Sequence, residues 1–163
     1  MGDVFTIADL SFLVGVWKGR GRAEYPTIET AEYVEELVWR MNGKDPVLHY
    51  EQQTWFGTGS RDEGSPVFWE SGFLIDKGNG SFELASAQKS GRMEILRGGI
   101  SRENGGLVLN LESTTIVNDE RMVRSSRHIR LQKEELSYEL MMTTTSHRSH
   151  AIHLRAILKK MPT

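Results

Sequence analysis

The sequence predicts an all-β fold of ten short antiparallel strands closing into a barrel, preceded by one short helical turn. Three observations carry this. Apolar and polar residues alternate with period two along most of the chain, and no stretch shows the 3.6-residue period of a long amphipathic helix. Turn signals punctuate the alternation: Asn42-Gly43, Asn79-Gly80, Gly98-Gly99 and Asn104-Gly105-Gly106, whose residues reach positive φ at little cost. Finally, Gly15-Val16-Trp17-Lys18-Gly19-Arg20-Gly21 reads G-x-W-x-G-x-G, an indole set among Gly15, Gly19 and Gly21. Glycines inside a strand mark bulges or close backbone approach. Trp17 beside them is placed to plug the mouth or floor of a small barrel around a pocket.

The elements follow in order. Residues 10–14 form a short helical turn with Asp9 as its cap. Strands are expected over residues 15–25, 32–39, 47–56, 68–76, 81–87, 91–97, 107–111, 122–131, 136–145 and 150–159. Closure removes the exposed sheet edges that an open arrangement would leave, with a two-sheet sandwich as the alternative. The polar, Gly-rich residues 57–65 read as an exposed lip.

At 163 residues the chain is expected to be a single domain, spanning 1–163, with a sizeable core. The absence of cysteine excludes disulfides, thiolate metal sites, covalent c-type haem and a cysteine nucleophile. A net charge of −2 gives no electrostatic footprint for nucleic acid. Neither a signal-peptide pattern nor an apolar run of the ~20 residues needed to span a bilayer is present, so a cytoplasmic protein without membrane attachment is expected. Met1, Gly2 and Thr6 loosely fit the N-myristoylation pattern.

Several residues carry chemistry. On residues 122–131, Val123, Ser125, Arg127, Ile129 and Leu131 share parity. An inward Arg127 must meet an anion, either a ligand carboxylate or phosphate or an interior acid such as Glu70, unless a bulge turns it to solvent. His147, His150 and His153 are spaced H-x-x-H-x-x-H, a plausible zinc set on a helix. The flanking Thr143-Thr144-Thr145 and Leu154 to Leu158 favour a strand, where offsets of three alternate faces. One histidine aimed into an apolar pocket suffices as an axial haem ligand. The carboxylates Glu32, Glu35, Glu36, Glu51 and Glu70 form no recognisable catalytic pair, and Glu35-Glu36 is expected to put one carboxylate in solvent. No G-x-S-x-G elbow occurs, and the glycines of residues 15–21 open a strand rather than a helix, which rules out phosphate cradling. Trp39, Tyr50, Trp55, Phe68, Trp69 and Phe73 read as core or as walls of a flat pocket.

With G-x-W-x-G-x-G, Tyr25-Pro26-Thr27, Glu70-Ser71-Gly72-Phe73, Ser126-Arg127, Leu136-Ser137-Tyr138 and His153-Leu154-Arg155-Ala156-Ile157-Leu158 in this order, the chain resembles the nitrobindins from about residue 10 to 160. The resemblance implies a ten-stranded barrel shaped like the lipocalins and fatty-acid-binding proteins. It implies one non-covalent b-type haem, ferric and open to solvent on one side. Binding of nitric oxide and isomerisation of peroxynitrite to nitrate are the implied functions. Carried over by position, His153 is the axial ligand of the haem iron, and Thr27 and Arg127 contact the haem. Where the family has Pro-Met-His, this chain has Pro66-Val67-Phe68, so Val67 and Phe68 replace a distal Met and His. The stretch between the threonine run and His153 is also two residues longer than in the relatives. An inward His153 conflicts with simple alternation, which groups it with Arg155 and Ile157, and it therefore requires a bulge or a partly polar haem side. The alternative function is an intracellular carrier of a fatty acid or other apolar anion, with Arg127 as its anchor.

Overall fold

The computed structural model describes residues 4–163. A 3-10 helix, Ile7–Leu13, leads into ten strands: β1 (Gly15–Ala23), β2 (Ala31–Arg40), β3 (Val47–Phe56), β4 (Pro66–Gly78), β5 (Ser81–Gln88), β6 (Met93–Glu103), β7 (Gly106–Val117), β8 (Met122–Leu131), β9 (Glu135–Thr144) and β10 (Ala151–Lys160). Each strand pairs antiparallel with its sequence neighbour, and β1 also pairs with β10, closing the barrel. The sandwich alternative is thereby excluded. Among the described residues no helix is long and apolar enough to cross a membrane. Met1 and Gly2 of the myristoylation pattern lie outside the described residues.

Alternation sorts the side chains as period two demands. On β2, Tyr33, Glu35, Leu37 and Trp39 are buried while Glu32 and Val34 face out. The barrel core gathers Leu48, Leu74, Phe82, Leu96, Leu111 and Leu158 with the helix residues Leu10 and Leu13. Trp17 is fully buried at this end, and its indole N–H donates to the Leu13 carbonyl at 2.8 Å. The helix is tied down further by the Ile7 N–H, which donates to the Asp76 carboxylate at 2.9 Å. Trp17 and the helix thus plug one end of the barrel.

The opening motif serves the wall as well. Gly15 starts β1 at φ 136°, and Gly19 faces Glu35 across the β1–β2 ladder. A Cβ on Gly21 would lie 2.3 Å from the Tyr33 ring, so this glycine makes room for an inward phenol. Ten strands form where ten were expected, but four local expectations are corrected. The helix begins at Ile7, three residues early, and Asp9 accepts from the Thr6 N–H at 2.8 Å instead of starting the helix. Gly98-Gly99 is no turn: β6 runs straight through it to Glu103, with the turn at Asn104-Gly105. Gly98 is glycine for another reason, since a Cβ there would lie 1.7 Å from the Asn110 carbonyl oxygen. A register shift between Met122 and Arg124 takes Val123 out of phase, leaving it 47% exposed. Trp69 and Phe73, read as core or pocket wall, instead project from the outer face of β4.

Truncating the plug removes a large buried side chain and strands the Leu13 carbonyl. Trp17→Ala is expected to destabilise the chain by about 3–5 kcal/mol, measured as a lower urea midpoint with an unchanged slope.

Candidate functional site

Trp17 pairs with Lys160 at the closed end of β1, and Ala23 pairs with Leu154 at the other. At about 3.3 Å per residue the mouth lies roughly 20 Å from the plug. There the β9–β10 ladder steps from Ile152↔Met141 directly to Leu154↔Leu140. His153 is the extra residue, in a bulge that breaks the parity otherwise grouping it with Arg155 and Ile157. The imidazole lines a cavity of about 220 Å³ walled by Ala23, Ile28, Tyr33, Phe56, Val67 and Phe68. His153, Phe68 and Leu154 also line a smaller space of about 30 Å³, whose other walls carry Glu70, Arg92, Glu94 and Arg127. A larger concavity, about 670 Å³, is a groove bordered by the outward side chains Arg20, Arg22, Arg130 and Arg155.

Burial, and after it the positive charge of Arg92, lowers the His153 pKa to about 4. The ring is therefore neutral at pH 7, and among the described residues it makes no side-chain hydrogen bond. A nitrogen lone pair is free to act as a donor. Tyr25 holds the ring's surroundings in place. It meets His153 edge-on at 6.1 Å and His147 at 5.4 Å, and its hydroxyl lies 3.2 Å from Thr144 Oγ1. The Glu24 N–H donates to the His153 carbonyl at 2.7 Å, fastening the bulge to the segment after β1.

Below the mouth sits an ion-pair network. Arg127 Nη1 donates to Glu70 Oε2 at 2.6 Å and Nη2 to Oε1 at 3.3 Å. Tyr50 donates to Glu70 at 2.6 Å, and Glu94 lies 3.7 Å from Arg127 Nη2. Glu94 also accepts from Gln88 at 2.9 Å and from Ser125. Arg92 bridges Glu94 at 3.7 Å and Asp119 at 3.3 Å. Two arginines thus face three carboxylates in this wall.

Residues 6–160 match the family model described as the THAP4-like, heme-binding beta-barrel domain. The chain is a nitrobindin. It is 36% identical over 155 residues to a protein named peroxynitrite isomerase Rv2717c from Arabidopsis thaliana, covering 95% of this chain and 89% of the relative. Peroxynitrite isomerase 2 of Mycobacterium ulcerans is 38% identical over 136 residues, 82% of this chain and 81% of that one. The crystal structure of Rv2717c from M. tuberculosis superposes with a TM-score of 0.85 at 33% identity, covering 98% of this chain and all of that one, 100%.

In this nitrobindin the expected site residues do not all converge. His153 lines the pocket. Thr27 lies in the exposed turn at the mouth, beside the pocket-lining Ile28. Arg127 points inward, but the interior acid Glu70 holds its guanidinium in the two hydrogen bonds above. Of the other histidines, His147 packs on Tyr25, while His150 is held between Ser126 Oγ at 2.7 Å and Thr143 Oγ1 at 2.8 Å. Tyr25, Tyr33 and Arg92 were missed by sequence reasoning. Tyr33 was within reach, since it shares parity with Leu37 and Trp39.

Burial, the largest single influence, would raise the Glu70 carboxyl, but the Arg127 charge together with hydrogen bonds from Arg127, Tyr50 and Ser86 outweighs it and holds the pKa below the ordinary 4.5. Stability from this pair is therefore present above that value and lost as pH falls below it. Arg127→Met should cost about 3–5 kcal/mol at pH 7 by leaving a buried charge unpaired, and adding Glu70→Leu should restore most of the loss. Chemical denaturation of the single and double variants at pH 7 and in acid measures both effects.

Proposed function

We propose that this pocket takes one non-covalent b-type haem with His153 as its axial ligand, and that the haem protein binds nitric oxide and isomerises peroxynitrite to nitrate in the cytoplasm. The observation that carries this reading is the neutral, hydrogen-bond-free imidazole that a bulge turns onto a mostly apolar cavity. The family's haem-binding description and the relatives' name, peroxynitrite isomerase, support it.

The donor set fits the group. A neutral imidazole is a good ligand for haem iron, and Ile28, Val67, Phe68 and Leu154 offer apolar surface to a macrocycle. The cavity of about 220 Å³ is small beside the ~300–1,000 Å³ usual for ligand pockets. This space alone would not enclose a macrocycle, and Thr27, next to the lining Ile28, would be at hand at the rim. When bound, haem supplies a ferric iron at which peroxynitrite rearranges. The chain's own residues do the rest. Tyr25 keeps the imidazole in place, and Thr27 at the rim would offer its hydroxyl to a propionate. Val67 and Phe68 exclude water from this wall of the pocket and offer no side-chain hydrogen bond there. Arg127, engaged by Glu70, supports the pocket floor and does not receive a propionate. The same pairing weakens the carrier alternative, because a fatty acid's carboxylate would have to displace Glu70 from its anchor.

Reconstitution of the full chain with ferric haem is expected to give a Soret band that His153→Ala loses. Because the folded ring protonates only near pH 4, haem uptake should persist through mildly acidic pH and fall toward that value. A chain that takes up no haem, or a His153→Ala variant that binds it equally well, overturns the reading.

A further inference from the structure

The barrel interior holds a second polar cluster. Glu35 on β2 is buried and faces a cavity of about 40 Å³ otherwise lined largely by leucines. One of its carboxylate oxygens, Oε1, accepts a hydrogen bond from Tyr138; the other, Oε2, is buried without a partner. The Tyr138 hydroxyl lies 2.8 Å from that of Tyr33 and accepts from the Gln52 amide at 3.3 Å. Tyr33 in turn reaches the Arg155 carbonyl oxygen at 3.3 Å and lines the His153 pocket. A continuous chain, Glu35–Tyr138–Tyr33–Arg155 C=O, therefore runs from the sealed interior to the pocket wall.

Each phenol has one proton to give, and the chain has an acceptor at both ends. With Glu35 ionised, Tyr138 donates to Glu35 and Tyr33 donates to Tyr138, so every donor points inward. With Glu35 protonated, its O–H donates to Tyr138, Tyr138 to Tyr33, and Tyr33 to the Arg155 carbonyl, so every donor points outward. We infer that Glu35 is a buried proton-storing group whose ionisation reverses the Tyr138–Tyr33 hydrogen-bond chain and with it the donor presented at β10 beside the His153 pocket. This depends on the chain's own residues and holds whatever the pocket contains.

The surroundings set the range in which the reversal operates. Burial raises the Glu35 carboxyl to about 7, although the hydrogen bond from Tyr138 and the nearby Gln52 amide pull the other way, and the Glu70 charge adds to the rise. The groups facing Glu35 are Tyr33 on its own strand, Tyr50 and Gln52 on β3, Glu70 on β4, Arg127 on β8 and Tyr138 on β9. The Arg127 charge is balanced by Glu70 in a bidentate pair, so it does not hold Glu35 ionised. Both tyrosines are pushed up by burial and by Glu35 itself, so they pass the proton's orientation along without ionising.

Infrared difference spectra of the full-length protein, titrated across the neutral range, test this. A protonated-carboxyl carbonyl band should appear on acidification with a midpoint near 7, and the tyrosine C–O band should shift with the same midpoint. Imidazole side chains give no carboxyl band. Glu35→Gln should abolish both changes. Tyr138→Phe should keep the carboxyl band, move its midpoint upward because a donor to the carboxylate is lost, and abolish the tyrosine shift. That variant decides the matter if Glu35→Gln fails to fold. A tyrosine band that stays constant through the carboxyl transition, or a carboxyl transition surviving in Glu35→Gln, overturns the inference.

Discussion

The pairing of β1 with β10 is the constraint on which the other features rest. Once that seam closes, the sheet has no edge and the interior has no outlet except the mouth. Polar side chains on the inner face are then taken out of bulk water and turn to one another for hydrogen bonds and ion pairs. The Arg127–Glu70–Glu94 network and the Glu35–Tyr138–Tyr33 chain are two answers to that demand. The first balances charge against charge. The second balances a carboxyl against neutral hydroxyls, and so is left with a group that can change its state. Apolar residues fill the closed end, where Trp17 and the 3-10 helix exclude water, and the polar clusters lie between the plug and the mouth.

The same closure makes the position of His153 unusual. A regular barrel strand divides its residues strictly between inside and outside, and β10 spends its outer positions on Arg155, Ile157 and Lys159. A bulge is the local device that turns one more side chain inward without disturbing the ladder on either side. Tyr25 and the Glu24 N–H hold that bulge from the neighbouring segment. The pocket is thus assembled from irregularities: a bulge in β10, the turn after β1, and the lip between β3 and β4.

What the sequence made legible follows from this division. Period-two alternation and Asn-Gly turns are local signals, and they placed all ten strands. The Glu35-Glu36 pair also read correctly at the level of faces: Glu36 meets Lys18 at 3.3 Å on the outside, and its neighbour goes in. Irregularities were harder. Gly98-Gly99 resembled a turn because a glycine required by a neighbouring strand's carbonyl looks the same in sequence as one required by positive φ. Val123 was put on the wrong face because a register shift leaves no mark in the residues. The partner of Arg127 is 57 residues away, so pairing with Glu70 could be named only as one possibility among several. Membership of the nitrobindins was legible from motif order, whereas the geometry around His153 was not.

The bulge also bears on how such a site changes over generations. Its single extra residue is the whole difference between an imidazole that faces the pocket and one that faces solvent. Loss of one codon between Ile152 and Leu154, or gain of one on the facing stretch of β9, would restore the regular ladder while leaving the core and the seam intact. Barrels of this shape can therefore acquire or discard an inward ligand through one-residue insertions and deletions, a route far shorter than rebuilding a strand by substitution.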